Sequence, residues 1–363
     1  MKIMTGIDLH SNNAVCGLVD MKGKRLLHKR VPCDLKEIVR TLKPHQKRID
    51  TIAVESTFNW YWLVDGLQDQ GYNVVLANPA AIEQYNGLKH ADDTSDAFFL
   101  AEMLRLGILP CGYIYDRKTR ATRDLLRRRL GLVRKRTSLY VSFKSLYTRT
   151  TGQSMSLVEL KKMKAQEAGE LFKHPSDQLI ARELIELIER LTQSIRKIEE
   201  AVLKTALKTP YYRRLQSIPG IGVILGLTIT MEVGDIKRFP TPGDFASYCR
   251  CVKSQRMTNG KSKGKNNDKC GNPYLGWAFI EASNISRRFD LSCRRFYDRK
   301  TKQTNSILAT KALACKLAKA AWHVMHDKKD FDSERAFSSA PTKNSFAERD
   351  VKPLKGVGAK PSD

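Results

Sequence analysis

Short apolar runs broken by turn residues open the chain. Lys2 to Asp8, Ala14 to Val19 and Arg25 to Val31 read as strands, parted by Ser11-Asn12-Asn13 and Lys22-Gly23. Three strands with such short turns predict an antiparallel meander. The pattern then alternates: a helical stretch near Leu35 to Leu42, a strand Asp50 to Val54, a helix from about Asn59 to Gln70, a strand Asn73 to Leu76, and a helix from about Asp93 to Leu106. A meander followed by alternating strands and helices is the element order of an RNase H-like α/β domain.

Beyond residue 116 the period lengthens. Leu126, Leu130, Val133, Thr137, Tyr140, Lys144 and Tyr147 recur at steps of four and three, which predicts one long helix with an imperfect apolar seam over 117–149. After a break at Thr150 to Ser156, a second long helix keeps Leu184, Ile188, Leu191, Ile195, Ile198 and Val202 at coiled-coil spacing. That seam pairs either with the first long helix, as an antiparallel hairpin, or with a second chain. Further on, helices are expected near Asp244 to Cys249, Pro273 to Ser286 and Asn305 to His326. From about Ser333 to Asp363 the chain is polar and rich in Ser, Pro, Lys and Gly, and reads as a disordered tail. The organisation is therefore α/β plus α, with segments 1–110, 111–209 and 210–330 and a tail 331–363.

Charge sharpens this division. The formal net charge is +26, yet residues 1–110 hold 13 basic and 13 acidic residues, so the excess lies entirely in the remainder. Polyanions such as nucleic acid are the expected partners. Within 117–149 there are 12 Lys plus Arg against the single acid Asp124. Arg127, Arg128, Arg129, Arg134, Lys135 and Arg136 beside the seam suit a helix lying along phosphates. The loop Lys253 to Lys269 carries six Lys or Arg and one Asp. In it Lys253, Arg256, Lys261, Lys263 and Lys265 form a cationic loop fit to hold a phosphate. Ser217-Ile218-Pro219-Gly220-Ile221-Gly222-Val223 has the glycine spacing of a helix-hairpin-helix turn, or of a plain helix-packing turn. No apolar run approaches the ~20 residues of a membrane span, and Asp8 and His10 interrupt any signal-peptide core. A cytoplasmic, nucleoid-associated protein is expected. The eight cysteines show no C-x-x-C pair, so reduced thiols are expected rather than zinc ligation.

Four acids stand where chemistry is carried. Asp8 closes the first strand, Glu55 closes the strand Ile52-Ala53-Val54, and Asp93 and Asp96 sit three apart at the start of a helix. Such carboxylates, gathered, would repel one another unless divalent cations neutralise them, and paired cations can clamp both oxygens of a phosphodiester displacement. Each acid also has a local role open to it: a turn, a lysine pair, an N-cap. Trp60 and Trp62 read as core aromatics rather than base-stacking platforms.

Gly6-Ile7-Asp8-Leu9-His10, Val54 to Trp62, Ala77-Asn78-Pro79, Asp93-Thr94-Ser95-Asp96-Ala97, Ile218 to Gly222 and Gly271-Asn272-Pro273-Tyr274-Leu275 together resemble the DEDD transposases of the IS110 insertion-sequence family, to which Piv-type DNA invertases belong. The resemblance covers residues 1 to about 330. It implies an N-terminal RuvC-like domain, a coiled-coil region and a mainly helical C-terminal transposase domain supplying a nucleophilic serine. It further implies Mg²⁺ or Mn²⁺ on Asp8, Glu55, Asp93 and Asp96, DNA as substrate, a bridge RNA as guide, and a homo-oligomer, dimer or tetramer. One departure follows from aligning Phe245 to Gly260 with the family pattern: Thr258 stands where a serine is usual. Its hydroxyl is the first candidate nucleophile, ahead of Ser262 and Ser254. The competing readings are a RuvC-like endonuclease such as a junction resolvase, in which water attacks, and a non-catalytic nucleic-acid-binding protein.

Overall fold

The structure is a computed structural model and describes residues 1–82, 93–206, 211–252, 257–259, 261–262, 264 and 270–337; of 93, 94, 205, 206, 257 and 262 it describes the backbone only. The meander is present as β1 (Ile3–Leu9), β2 (Asn13–Asp20) and β3 (Arg25–Pro32). A parallel arm adds β4 (Ile49–Glu55) beside β1 and β5 (Val74–Ala77) beside β4. A two-residue β6 (Cys111–Gly112) closes the order β3-β2-β1-β4-β5-β6. This is the RNase H-like arrangement, with β2 antiparallel between two neighbours.

β1 and β2 are buried on both faces because both faces are covered. Ile3, Ile7, Leu9, Ile52 and Val54 pack with Ile38 and Leu42 of α1 (Leu35–Leu42) and with Leu63, Val64 and Leu67 of α2 (Tyr61–Asp69). Asp34 starts α1 by accepting the Lys36 and Glu37 N–H groups. The opposite face takes α3 (Asp93–Arg105). That helix lies so close that a Cβ on Gly6 would come 2.0 Å from the Ala97 carbonyl oxygen. Here glycine is required by a close backbone approach.

The basic stretch forms α4 (Arg117–Thr151), 35 residues and about 50 Å long. It is capped by Asp116 and ended by Gly152 in the left-handed region, φ 73°. α7 (Pro175–Ala206) runs back along it: Leu126 packs with Val202, Arg129 pairs with Glu199, Arg136 bonds Thr192, and Phe143 packs with Ile185. The seam therefore closes within the chain as an antiparallel hairpin. Its columns differ from those expected. On α4 the buried positions near the tip are Phe143 and Leu146 in place of Lys144 and Tyr147. On α7 Ala181 and Ile185 are buried while Leu184, Leu191 and Ile198 are half-buried. The cause is that two short helices, α5 (Leu157–Lys162) and α6 (Ala165–Glu170), fold over the hairpin tip and add Leu160, Ala168 and Phe172 to its core.

The remaining chain is helical: α8 (Tyr212–Leu215), α9 (Val223–Val233), α10 (Pro242–Tyr248), α11 (Pro273–Phe289), α12 (Leu291–Gln303), α13 (Ser306–His326) and α14 (Ser333–Phe337). They enclose Leu215, Ile229, Phe245, Phe279, Leu317 and Trp322. Gly220, φ 85°, packs its Cα against α11, where a Cβ would lie 2.3 Å from the Ala282 carbonyl oxygen; at this glycine the turn is a packing device. Residues 331–337, expected to belong to the tail, are packed on the C-terminal helices. The Phe331 N–H donates to Ser217 Oγ at 2.8 Å and Phe337 packs on Phe296 at 5.7 Å, so burial of aromatic area orders the segment through α14. Residues 338–363 lie outside the described residues. No described helix is long and apolar enough to cross a membrane.

Candidate active site

Strand alternation decides where the first two acids point. Ile7 and Leu9 face α1 and α2, so Asp8 faces α3; Val54 faces α1 and α2, so Glu55 faces α3 too. The parallel register pairs Ile7 with Val54, which makes Asp8 and Glu55 neighbours at the strand ends. On the covering helix Ala97 lies against Gly6, which brings Asp96 over the same end of the sheet.

The electrostatics show the convergence. Glu55 is pushed up to about 7, first by burial, then by a hydrogen bond with the Asp8 carboxyl and by the charges of Asp8 and Asp96. Asp8 is buried, 3% exposed, with His10 Nε2 3.1 Å from its Oδ2. The turns carrying these acids are tied together: Asn59 Nδ2 donates to the His10 carbonyl at 2.9 Å, and Thr57 Oγ1 donates to Asn59 Oδ1 at 2.8 Å. Asp8 and Glu55 are thus neighbours, and Asp96 lies near enough for its charge to act on Glu55. Asp93 opens α3, but its side chain lies outside the described residues. Among the described residues alone, no three His, Cys, Asp or Glu side chains make up a metal-holding group. The fit to a cation rests on the adjacency of the Asp8 and Glu55 carboxyls at the strand ends.

Thr258 is exposed on a separate hairpin, β7 (Met257–Thr258) with β8 (Lys261–Ser262), turned at Asn259 with φ 49°. Lys261 is exposed opposite it. Lys253, Ser254, Arg256, Lys263 and Lys265 lie outside the described residues, as does the side chain of Ser262. The six basic residues on α4 do not share one environment. Arg128, Arg134 and Lys135 are exposed, whereas Arg127, Arg129 and Arg136 turn inward to Glu232, Glu199 and Thr192. The correction has a simple cause: charge density along a helix does not reveal which faces meet a carboxylate.

A second cluster escaped the sequence reading. Glu232 on α9 is 2% exposed and accepts from Arg123 Nε at 2.9 Å, Arg127 Nη2 at 2.8 Å and Asn272 Nδ2 at 2.7 Å. Tyr115 Oη donates to its backbone carbonyl at 2.6 Å. The guanidiniums and the Asn272 amide hold its carboxyl below the usual carboxylate range against a strong desolvation penalty. Asn272 also caps α11 by accepting the Tyr274 and Leu275 N–H groups. A lone acid inside the apolar run Val223 to Val233 was the available signal.

Between the acid-bearing sheet and the C-terminal helices lies a cleft of about 390 Å³, bordered by Ser56, Asn78, Tyr113, Arg123, Arg127 and Tyr248 among others.

Comparison with known proteins agrees with this anatomy. A model described as Transposase, of the DEDD type found with IS110, matches residues 5–151, and one described as Transposase IS116/IS110/IS902 family matches residues 212–298. The chain is 25% identical over 228 residues to the Putative transposase y4qE of Sinorhizobium fredii, covering 61% of this chain and 55% of that protein. It is 24% identical over 337 residues to the Transposase for insertion sequence element IS1328 of Yersinia enterocolitica, covering 88% and 96%. The match thus spans about half of the first relative and nearly all of the second. Among solved structures, the T. thermophilus RuvC in complex with Holliday junction substrate aligns with 31% of this chain and 100% of that chain, at 17% identity and a TM-score of 0.23. One transposase model takes in the acids and the basic helix, the other the helices around Glu232 and Asn272, and the chain belongs to the IS116/IS110/IS902 family of transposases.

Proposed function

We propose that this transposase breaks and rejoins DNA strands by phosphoryl transfer at the end of the sheet where Asp8, Glu55 and Asp96 meet. The observation that carries the reading is the placing of Asp8 and Glu55 side by side at two parallel strand ends, where burial first and then the neighbouring Asp8 and Asp96 push Glu55 up to about 7. Carboxylates crowded in this way repel one another when ionised, and a ligand that offsets the repulsion suits the place. With Asp93 as a fourth donor, these residues would hold Mg²⁺ or Mn²⁺, which supplies Lewis-acid stabilisation of charge on the phosphodiester. Asp8 and Glu55 provide rigid donors on strand ends, and Asp96 completes the ring from α3. The attacking group in this reading is the Thr258 hydroxyl, followed in preference by Ser262 and Ser254. Its oxygen forms a bond to phosphorus as the DNA ester bond breaks; the threonine proton passes to a carboxylate and the departing DNA oxygen takes a proton from water; a hydroxyl at the end of a recombining strand then attacks that phosphorus, and the Thr258 oxygen leaves and is reprotonated.

The division into 1–110, 111–209, 210–330 and a tail belongs to the same proposal. So does a guide RNA, with Arg128, Arg134 and Lys135 on the outer face of α4 and Lys261 beside the hairpin as phosphate contacts. The test is strand breakage by the full chain on a plasmid carrying its own gene and flanks, with Mg²⁺. Asp8→Asn and Asp96→Asn are expected to lose breakage by a factor on the order of 10³ or more while still binding DNA. Undiminished breakage by Asp8→Asn rejects the acid site. A denaturation-resistant protein–DNA adduct that vanishes in Thr258→Ala supports the hydroxyl nucleophile; breakage without any adduct assigns the attack to water, as in a junction-resolving nuclease. Sequencing RNA that co-purifies with the chain tests the guide.

A further inference from the structure

The cleft beside the acids has a composition that strand breakage does not account for. Its floor carries two guanidiniums, Arg123 and Arg127, that share the single carboxylate of Glu232. Two cations on one anion leave the wall net positive. Both guanidiniums are held over rings, Arg123 4.1 Å from the Tyr115 centroid and Arg127 4.2 Å from that of Tyr274. Their geometry is set before any ligand arrives, which lowers the ordering cost of binding. The side wall is aromatic. Tyr113, 37% exposed, and half-buried Tyr248 both line the cleft, and both rings pack against the Arg238 guanidinium, at 4.4 Å and 4.9 Å. Ser56 and Asn78 add hydrogen-bonding groups at the sheet end.

A fixed positive pair next to rigid rings and amide or hydroxyl edges is complementary to one nucleotide, with phosphate on the arginines and base on the tyrosines. An apolar metabolite would not use the charge, and an intact duplex would not place a single base against the rings. Ser56, which lines the cleft, follows Glu55 directly in the chain, so a nucleotide seated there would lie next to the acids. We propose that the cleft between the sheet and the C-terminal helices captures one unstacked nucleotide of the strand being cut, and so sets which phosphate reaches Asp8 and Glu55. The inference rests on the phosphoryl-transfer reading above.

The test uses full-length chain in chelator, so that no strand is cut, with single-stranded oligodeoxyuridine carrying 5-iododeoxyuridine as the photocross-linking probe. Cross-links are expected on Tyr113 or Tyr248. Ala80→Trp, which fills the cleft from an exposed position without removing a contact ring, should lower their yield at least tenfold, and Tyr113→Leu should abolish the Tyr113 product. Cross-links confined to other surfaces, or a yield untouched by Ala80→Trp, overturn the proposal. Running Asp8→Asn in parallel, with breakage of both chains measured separately in Mg²⁺, separates the two readings. That variant should keep the cross-link and lose breakage; breakage lost with no cross-link in either chain defeats the cleft alone, whereas a cross-link with breakage unaffected by Asp8→Asn defeats the acid site alone.

Discussion

Replacing Glu55 by Gln removes a proton-binding site whose affinity differs between the folded and unfolded chain. The folded carboxyl is raised from its ordinary 4.5 to about 7. Below the ordinary value both states are protonated and the group contributes nothing to the pH dependence. Between the two values the folded state keeps a proton that the unfolded chain has released, so stability falls as pH rises, by about 1.4 kcal/mol per unit. Above about 7 the penalty is complete, on the order of 3 kcal/mol, and nearer 2 kcal/mol after allowing for solvent at the half-buried carboxyl. Glutamine keeps the shape and can still donate a hydrogen bond to Asp8, as the protonated acid does, but never ionises.

Urea unfolding at pH 5 and at pH 8, in EDTA and followed by tryptophan fluorescence, measures this directly. Wild type should lose about 2 kcal/mol more than Glu55→Gln across that interval, and the variant should be the more stable chain at pH 8. Added Mg²⁺ at pH 8 should restore stability to wild type and do little for the variant. Parallel pH profiles for the two chains, or a variant weaker than wild type at pH 8, would falsify the account of a crowded acidic site.

Three further outcomes follow from the packing. Glu232→Ala strands two arginines and Asn272 in a largely buried place and should cost about 3–5 kcal/mol in denaturant unfolding; a loss under about 1 kcal/mol would mean the hub is solvated. Gly6→Val drives a branched side chain into the α3 backbone at Ala97 and Ala101, so the purified chain should lose near-UV circular dichroism and cooperative melting, and an unchanged melting curve contradicts the close approach. Arg128, Arg134 and Lys135 changed together to Gln should lower the slope of log affinity for duplex DNA against log salt by roughly 2–3, since each lost phosphate contact removes about 0.9; an unchanged slope removes the outer face of α4 from the interface.

The parts of the fold that were legible are those with a period. The meander and the strands at Asp50 and Asn73 carry short apolar runs between turn residues, and each appears within a residue or two of its expected ends. Helix α9 was not foreseen because Leu225 to Val233 is buried on every side and so shows no amphipathic rhythm. Strand β6 has two residues and no rhythm at all. Asp8 and Glu55 could be placed at strand ends from sequence because each closes a short apolar run. The cleft could not be foreseen, since its borders come from Ser56, Asn78, Tyr113, Arg123 and Tyr248, brought together by tertiary packing alone.

The same distinction explains why α4 misled a reading based on charge. Arg117, Arg120, Arg123 and Arg127 recur at steps of three, three and four, one stripe of a helix. Arg117 and Arg120 pair with Asp65 on α2, and Arg123 and Arg127 with Glu232 on α9. Arg120, 3% exposed, also stacks on Trp60 and Tyr61 just beyond the Glu55 turn. The first three turns of α4 therefore act as a strut between the acid-bearing sheet and the C-terminal helices, built from ion pairs whose partners lie about 50 to 110 residues away in sequence. Desolvating so many guanidiniums is expensive, and an apolar stripe would hold the two parts together at lower cost. What arginines add is direction: planar donors on Asp65 and Glu232 fix rotation as well as distance. The proposed site, assembled from a sheet end and a hairpin on another part of the chain, would need that angular precision, and the same proposal leaves the outer basic face of the helix to meet phosphate.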